Sequence, residues 1–286
     1  MRYFEAEILE NRSLGGGYFV IELEGCESLG EARPGQFVML RGDWERDPLL
    51  PRAFSLLSVD PVAGTAEVLA KTVGRGTALL ERAGAGEKIA VLGPLGTSFP
   101  TPSPEHIDLL VAGGVGLPPM FMQGAWASQA GLVSHSEMLY GGRGSADLVL
   151  LSEMKALGLG LHLTTEDGSV GLKGLVTAAL EQRLEHHRGQ SVRIMGCGPN
   201  AMLWAVGRIA RDRGIPCFIS LEEQMACGIG VCLGCAIPAR SRPFRYVCSN
   251  GPVFDAADVL DVGKDIGTSG PPRPAEACLP TVRGGA

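Results

Sequence analysis

Four cysteines carry the most specific chemistry in the sequence, spaced Cys227-x4-Cys232-x2-Cys235-x12-Cys248. A [2Fe–2S] cluster needs four thiolates, two per iron, and the x4 and x2 spacings match the plant-type pattern for such a cluster. Three ligands then come from one tight loop and the fourth from a returning segment. Gly228, Gly230 and Gly234 interleave them, and positive φ at glycine would turn backbone N–H groups towards sulfur. The alternative for the same side chains is a structural zinc site, closed and chemically inert. Cys26, Cys197, Cys217 and Cys278 are scattered and read as buried hydrophobes or incidental residues.

Other groups suit phosphates. Arg52-Ala53-Phe54-Ser55 can set a guanidinium on a diphosphate and a hydroxyl at a flavin edge, though Arg and Ser are also common on edge strands. Val73-Gly74-Arg75-Gly76-Thr77 opens a helix, where free N–H groups and the dipole attract phosphate, or it is a plain strand-to-helix turn. Gly113-Gly114-Val115-Gly116-Leu117-Pro118-Pro119 follows an apolar strand and lets backbone approach a pyrophosphate. It is not the GxGxxG fingerprint, and an ordinary turn has the same composition. Gly196-Cys197-Gly198-Pro199 ends another apolar strand. His106, His135, His162, His186 and His187 show no ligand spacing with the cysteines and read as surface or packing residues.

Each group needs an element behind it. Residues 1–101 alternate or run apolar in short stretches punctuated by Gly and Pro, which predicts a small β-barrel or sandwich with strands such as Tyr3–Leu9, Tyr18–Leu23, Arg52–Val59 and Ala66–Thr72. After Thr101-Pro102-Ser103-Pro104 the pattern becomes strand–helix alternation, predicting a parallel α/β domain over 102–220. Its helices are expected at Pro118–Gln129, Ala146–Met154, Leu172–His186 and Asn200–Arg213. Residues 221–263 hold the clustered cysteines with little periodicity, so a metal has to organise them. Residues 264–286 are Gly/Pro-rich and are expected to be a disordered tail. The fold class is thus β plus α/β, with a small C-terminal cluster segment.

The length of 286 residues suits roughly two domains. Twenty-five basic and 31 acidic residues give a net charge of −6, with no basic block, which argues against nucleic acid. No signal-peptide pattern and no apolar run of about 18 residues occurs, so neither export nor a membrane span is expected. A cytoplasmic location follows, in which clustered thiols read as metal ligands before disulfides.

Arg52–Ser55 together with Val73–Thr77 resembles the FAD site of the ferredoxin reductase superfamily, where Gly93-Pro94-Leu95-Gly96 also recurs after the last barrel strand. Leu139-Tyr140-Gly141-Gly142-Arg143 resembles the segment after its second α/β strand, and Gly196–Pro199 the motif whose cysteine sits by the nicotinamide. Ser220–Cys235 with Val247-Cys248-Ser249-Asn250-Gly251-Pro252-Val253-Phe254 closely resembles the electron-transfer subunits of class 1B dihydroorotate dehydrogenase. That resemblance covers about 1–263. It implies FAD, one [2Fe–2S] cluster and NAD, and an FMN-containing catalytic partner that oxidises dihydroorotate in pyrimidine biosynthesis, as a heterotetramer of two copies of each. It further implies FAD held by Arg52, Ala53, Phe54, Ser55, Leu69, Ala70, Lys71, Gly76 and Thr77. NAD falls to Gly113, Gly114, Gly116, Gly196, Cys197, Gly198 and Pro199, and iron to Cys227, Cys232, Cys235 and Cys248. The small subunits of NADH-dependent ferredoxin:NADP oxidoreductase and of sulfide dehydrogenase share these parts and form the rival reading. A zinc-stapled binding module on a degenerate flavin fold is the non-enzymatic one.

Overall fold

The computed structural model describes residues 1–44 and 47–260. The expected tail at 264–286, the end of the cluster segment at 261–263 and Cys278 lie outside the described residues.

Six strands close into an antiparallel barrel: β1 (Arg2–Gly15), β2 (Tyr18–Glu24), β3 (Phe37–Gly42), β4 (Arg52–Asp60), β5 (Thr65–Lys71) and β6 (Lys88–Leu95), in the order β1-β2-β5-β4-β3-β6. Alternation builds it: along β1, Ala6 and Ile8 point inward while Glu5 and Glu7 face out. Phe19, Ile21, Leu40, Leu56, Val68 and Val91 fill the interior. Helix α1 (Arg75–Arg82) follows β5. Its C-terminal carbonyls are tied to the barrel by Asn11, whose Nδ2 donates to Leu80 O (2.8 Å) and Ala83 O (2.7 Å).

The second body alternates β7 (Ile107–Gly113), α2 (Leu117–Gln129), β8 (Ser136–Gly142), α3 (Leu151–Ala156), β9 (Gly160–Thr165), β10 (Leu172–Lys173), α4 (Val176–His186), β11 (Val192–Cys197), α5 (Asn200–Asp212) and β12 (Cys217–Ser220). The C-terminal segment adds a small ladder of β13 (Ala236–Ile237) and β14 (Arg245–Tyr246), then α6 (Val247–Asn250), β15 (Val253–Asp255) and α7 (Ala256–Val259). The sheet order is β10-β9-β8-β7-β11-β12-β15, parallel except for β15, which pairs antiparallel with β12. The order reverses beside β7, so a crevice opens at the strands' C-terminal ends between β7 and β11, the usual ligand position of such sheets. Arg193 bridges the buried Asp108 (2.8 Å) and donates to Thr101 O (3.0 Å), fixing the linker to this domain.

Two expectations change. The helix at Ala146–Met154 starts only at Leu151: residues 145–147 form a 3-10 turn, and Leu150 has φ +57. Burial explains it, because Leu148, Val149 and Leu150 pack in one core with Tyr18, Val20, Leu57 and Leu69 of the barrel, outweighing helix propensity. The helix at Leu172–His186 starts at Val176, since Leu172–Lys173 pairs with β9 instead. The cluster segment is continuous with the α/β domain: β15 extends its sheet and Leu260 sits against Gly207 of α5.

Candidate functional site

A first cleft of about 490 Å³ lies against β4 and β5. Arg52, Ala53, Phe54, Ser55, Leu69, Ala70, Lys71 and Thr77 all line it. The two halves expected to hold a diphosphate do meet. The Arg52 guanidinium packs over Gly76 so closely that a Cβ there would lie 2.8 Å from Arg52 Nε, and Arg52 Nη1 donates to Leu50 O. Thr77 Oγ1 accepts from Val73 N (3.0 Å) and Gly74 N (3.1 Å) and donates to Gly74 O, so the hydroxyl shapes the turn that opens α1. The opposite wall is Ser220–Met225 and Pro252, from the cluster segment and its approach. A cleft with one guanidinium, a helix N-terminus and apolar side chains such as Phe37, Phe54, Leu69 and Met225 suits a flavin dinucleotide.

A second cleft of about 530 Å³ opens at the ends of β7, β8 and β11. Gly113, Gly114, Gly141, Gly142, Arg143, Gly198 and Pro199 line it. Backbone packs on backbone here: a Cβ at Gly116 would lie 2.2 Å from Cys197 O, and one at Gly198 would lie 3.1 Å from Gly113 N. Gly116, Gly196 and Cys197 are buried beneath this surface and do not line the cleft. Burial, then the charge of Glu222, pushes the Cys197 thiol well above its usual range.

The four clustered cysteines converge as two pairs. Cys235 Sγ and Cys248 Sγ lie 3.3 Å apart. Cys227 Sγ accepts the N–H groups of Cys232 (3.4 Å) and Ile229 (3.5 Å), and Cys248 Sγ accepts that of Gly230 (3.1 Å). Burial opposes ionisation of Cys227, but donors from Cys232, Ile229 and Val231 overcome it and bring the thiol down to about 6. Gly228 (φ +70) and Gly230 (φ +80) supply the positive φ this loop needs, while the third such residue is Leu233 (φ +60) rather than Gly234. Among the described residues, no group of three or more His, Cys, Asp or Glu side chains is drawn onto a single ion-sized point. Two thiol pairs with inward N–H donors fit a binuclear iron–sulfur cluster, which takes two thiolates per iron. The loop rests on the barrel: Cys235 and Cys248 share a core with Phe37, Met39 and Leu95.

The residue that sequence reasoning missed is Glu222, which lines both clefts. Its side chain is exposed to the clefts, and partial desolvation by the protein around it raises its carboxyl above the usual range. Only its place five residues before Cys227 could have signalled it. Two of the histidines join an ion-pair cluster away from the cysteines: His162 Nε2 (3.2 Å) and His187 Nε2 (2.9 Å) converge on Glu137, which Arg183 also holds bidentately (2.7 and 2.8 Å). This cluster stands at the start of β8, opposite the clefts. No described helix is long and apolar enough to cross a membrane.

Comparison with known proteins accords with this arrangement. The family model for the iron–sulfur cluster binding domain of dihydroorotate dehydrogenase B matches residues 222–260, and that for the oxidoreductase NAD-binding domain matches 110–208. The dihydroorotate dehydrogenase B (NAD(+)) electron transfer subunit of Geobacillus thermodenitrificans (strain NG80-2) is 35% identical over 258 residues, 88% of this chain and 96% of that protein. Its counterpart in Listeria monocytogenes serotype 4a (strain HCC23) is 35% identical over 261 residues, covering 89% and 98%. The solved structure of an NADH-dependent reduced ferredoxin-NADP oxidoreductase superposes with a TM-score of 0.76 at 28% identity, over 91% of this chain and 90% of that one. A ferredoxin NADP+ reductase from Neisseria gonorrhoeae with bound FAD and NADP shares the fold, with a TM-score of 0.64 at 21% identity over 75% and 92%.

Proposed function

The chain belongs to the family of dihydroorotate dehydrogenase B electron transfer subunits, and on that footing we propose that it relays electrons from a catalytic partner to NAD through a [2Fe–2S] cluster and FAD. The observation that carries the reading is the continuity of the three sites. Residues 220–225 wall the first cleft, Glu222 borders both clefts, and Cys227 follows two residues after Met225. FAD can exchange two electrons with a nicotinamide and one at a time with a cluster, which is why it belongs between them.

In this reading Arg52–Ser55, Leu69–Lys71, Gly76 and Thr77 hold FAD. Gly113, Gly114, Gly198 and Pro199 receive the dinucleotide over a floor of Gly116, Gly196 and Cys197, and Cys227, Cys232, Cys235 and Cys248 bind the cluster. The corresponding units are a flavin barrel at 1–101, a nucleotide domain at 102–220 and a cluster segment at 221–263. The partner is an FMN-containing subunit that oxidises dihydroorotate, in a complex of two copies of each chain. Support for a covering partner comes from Ile229, Val231 and Leu233, which stand exposed on the cluster loop, Val231 by 73%. A cytoplasmic location accords with a cysteine-clustered chain whose thiols serve as cluster ligands rather than disulfide partners.

The superposition at TM-score 0.76 favours a second reading, a subunit serving a different flavoprotein partner. Co-purification with the FMN subunit followed by an assay for NAD-dependent orotate formation tests the two. Orotate formation that needs both chains is expected. A stable complex without it, but with NADH-dependent reduction of another acceptor, overturns the first reading in favour of the second.

A further inference from the structure

Among the described residues the barrel contributes only Tyr18 and Lys71 to the second cleft, and one carboxylate of the nucleotide domain holds both. Asp147 Oδ1 accepts the Tyr18 hydroxyl (3.1 Å) and the Lys71 ammonium (2.8 Å), which also lies 4.3 Å from the centre of the Tyr18 ring. Its other oxygen accepts Arg143 N (3.2 Å), in the turn lining the same cleft. Tyr140 fixes the backbone from behind, donating to Asp147 O (2.8 Å). The hairpin tip between β1 and β2 presses on the same segment, where a Cβ at Gly16 would lie 3.1 Å from Ala146 O. Lys71 and Asp147 stabilise each other's charged forms: their mutual hydrogen bond is the main cause raising the lysine and lowering the carboxyl.

We infer that residues 145–150 form an interdomain latch, with Asp147 as a positioning residue that sets how closely a dinucleotide in the second cleft approaches the first. The inference rests on the proposed exchange between NAD and FAD. Lys71 is the natural pivot, since it borders both clefts while its ammonium is committed to Asp147. The latch accounts for the missing helical turn. Leu148–Leu150 are drawn into the interdomain core, and Leu150 is left in the left-handed region that side-chain-bearing residues avoid. Hydride exchange requires near contact between the two rings, so a small change in domain spacing acts on its rate.

The test is Asp147→Asn in the protein carrying its cluster and FAD. Flavin reduction by saturating NADH is followed by anaerobic stopped-flow, and amide exchange is measured across 145–150. The expected result is reduction slowed about 10- to 100-fold with FAD content and cluster absorption unchanged. Faster exchange at 145–150 is expected with it. Lys71→Met, compared at equal FAD content because Lys71 also borders the first cleft, should reproduce the loss, and Lys71→Arg, which keeps the cation, should restore most of it. A wild-type reduction rate with full FAD overturns the latch, and so does a lowered melting temperature with an unchanged saturated rate. If Asp147→Asn loses FAD, Tyr18→Phe replaces it, and unaltered reduction and exchange in that variant overturn the latch equally. Wild-type protein whose flavin NADH does not reduce refutes the NAD reading instead. Amide exchange then decides the latch on its own, and unchanged exchange at 145–150 in Asp147→Asn overturns it.

Discussion

Replacing Gly116 with alanine puts a methyl carbon 2.2 Å from the Cys197 carbonyl oxygen, 2.4 Å from its carbon and 2.5 Å from Gly198 N. All three are backbone atoms, so no side-chain rotation relieves the clash. To reach 3.0 Å, below which real Cβ atoms are essentially never found, the loops after β7 and β11 must part by about 0.8 Å. Overpacking of this kind costs about 1–3 kcal/mol, or roughly 2–12 °C in melting temperature for a domain of this size. The same two loops line the second cleft through Gly113–Val115 and Gly198–Pro199. A displacement approaching 1 Å there should cost up to about 100-fold in NADH-driven turnover. Arg52, Ser55, Leu69 and Gly76 belong to the barrel and its helix, and only Val115 and Pro118 of the displaced loops line the first cleft, so FAD retention should fall far less than turnover. The assay is NADH oxidation with ferricyanide on flavin-replete protein, with NAD affinity by calorimetry. Unchanged KM, kcat and affinity would refute the reasoning that this backbone contact forms the floor of the nucleotide site.

Metal analysis should give two irons and two acid-labile sulfides per chain, and one stoichiometric zinc in protein made with ample iron would exclude the cluster. Replacing Cys227 with alanine should also speed proteolysis within 221–260, because metal binding supplies folding free energy there. Arg52→Ala should weaken FAD binding about 10- to 150-fold, as a charge-assisted contact of about 1.5–3 kcal/mol implies; equal flavin affinity removes Arg52 from the site. Burial opposes the charge on Glu137, but hydrogen bonds from His162, Arg183 and His187 hold its carboxyl well below the usual range. A depressed carboxyl pKa stabilises above its unfolded value and is lost as pH falls. Glu137→Gln should therefore cost about 1–3 kcal/mol at neutral pH, and the gap to wild type should close on acidification below about pH 4. A gap that stays constant from pH 7 to pH 3 in denaturant titrations would show that charge is not what the cluster contributes.

The cysteine loop was legible from sequence because its chemistry is local. Three ligands fall within nine residues, and the x4 and x2 spacings carry the geometry whatever surrounds them. Barrel and α/β sheet were legible for a similar reason, since alternation and strand–helix order are periodic signals. Tertiary structure decided the rest. Tyr18 and Lys71 reach Asp147 across 129 and 76 residues of chain, and His187 reaches Glu137 across 50, so no window of sequence contains either network. Glu222 carries no signal of its own within Ser220–Cys235, and its place between two clefts follows only from how three bodies meet. The segment 146–150 has a helix-forming composition, yet burial against the barrel overrode it. Gly116 and Cys197 sit in motifs that suggest ligand contact, but close packing of two backbones put them under the site instead. Local spacing determined which chemistry this chain carries, while long-range packing, which fixes distances between residues far apart in sequence, decided which side chains face it.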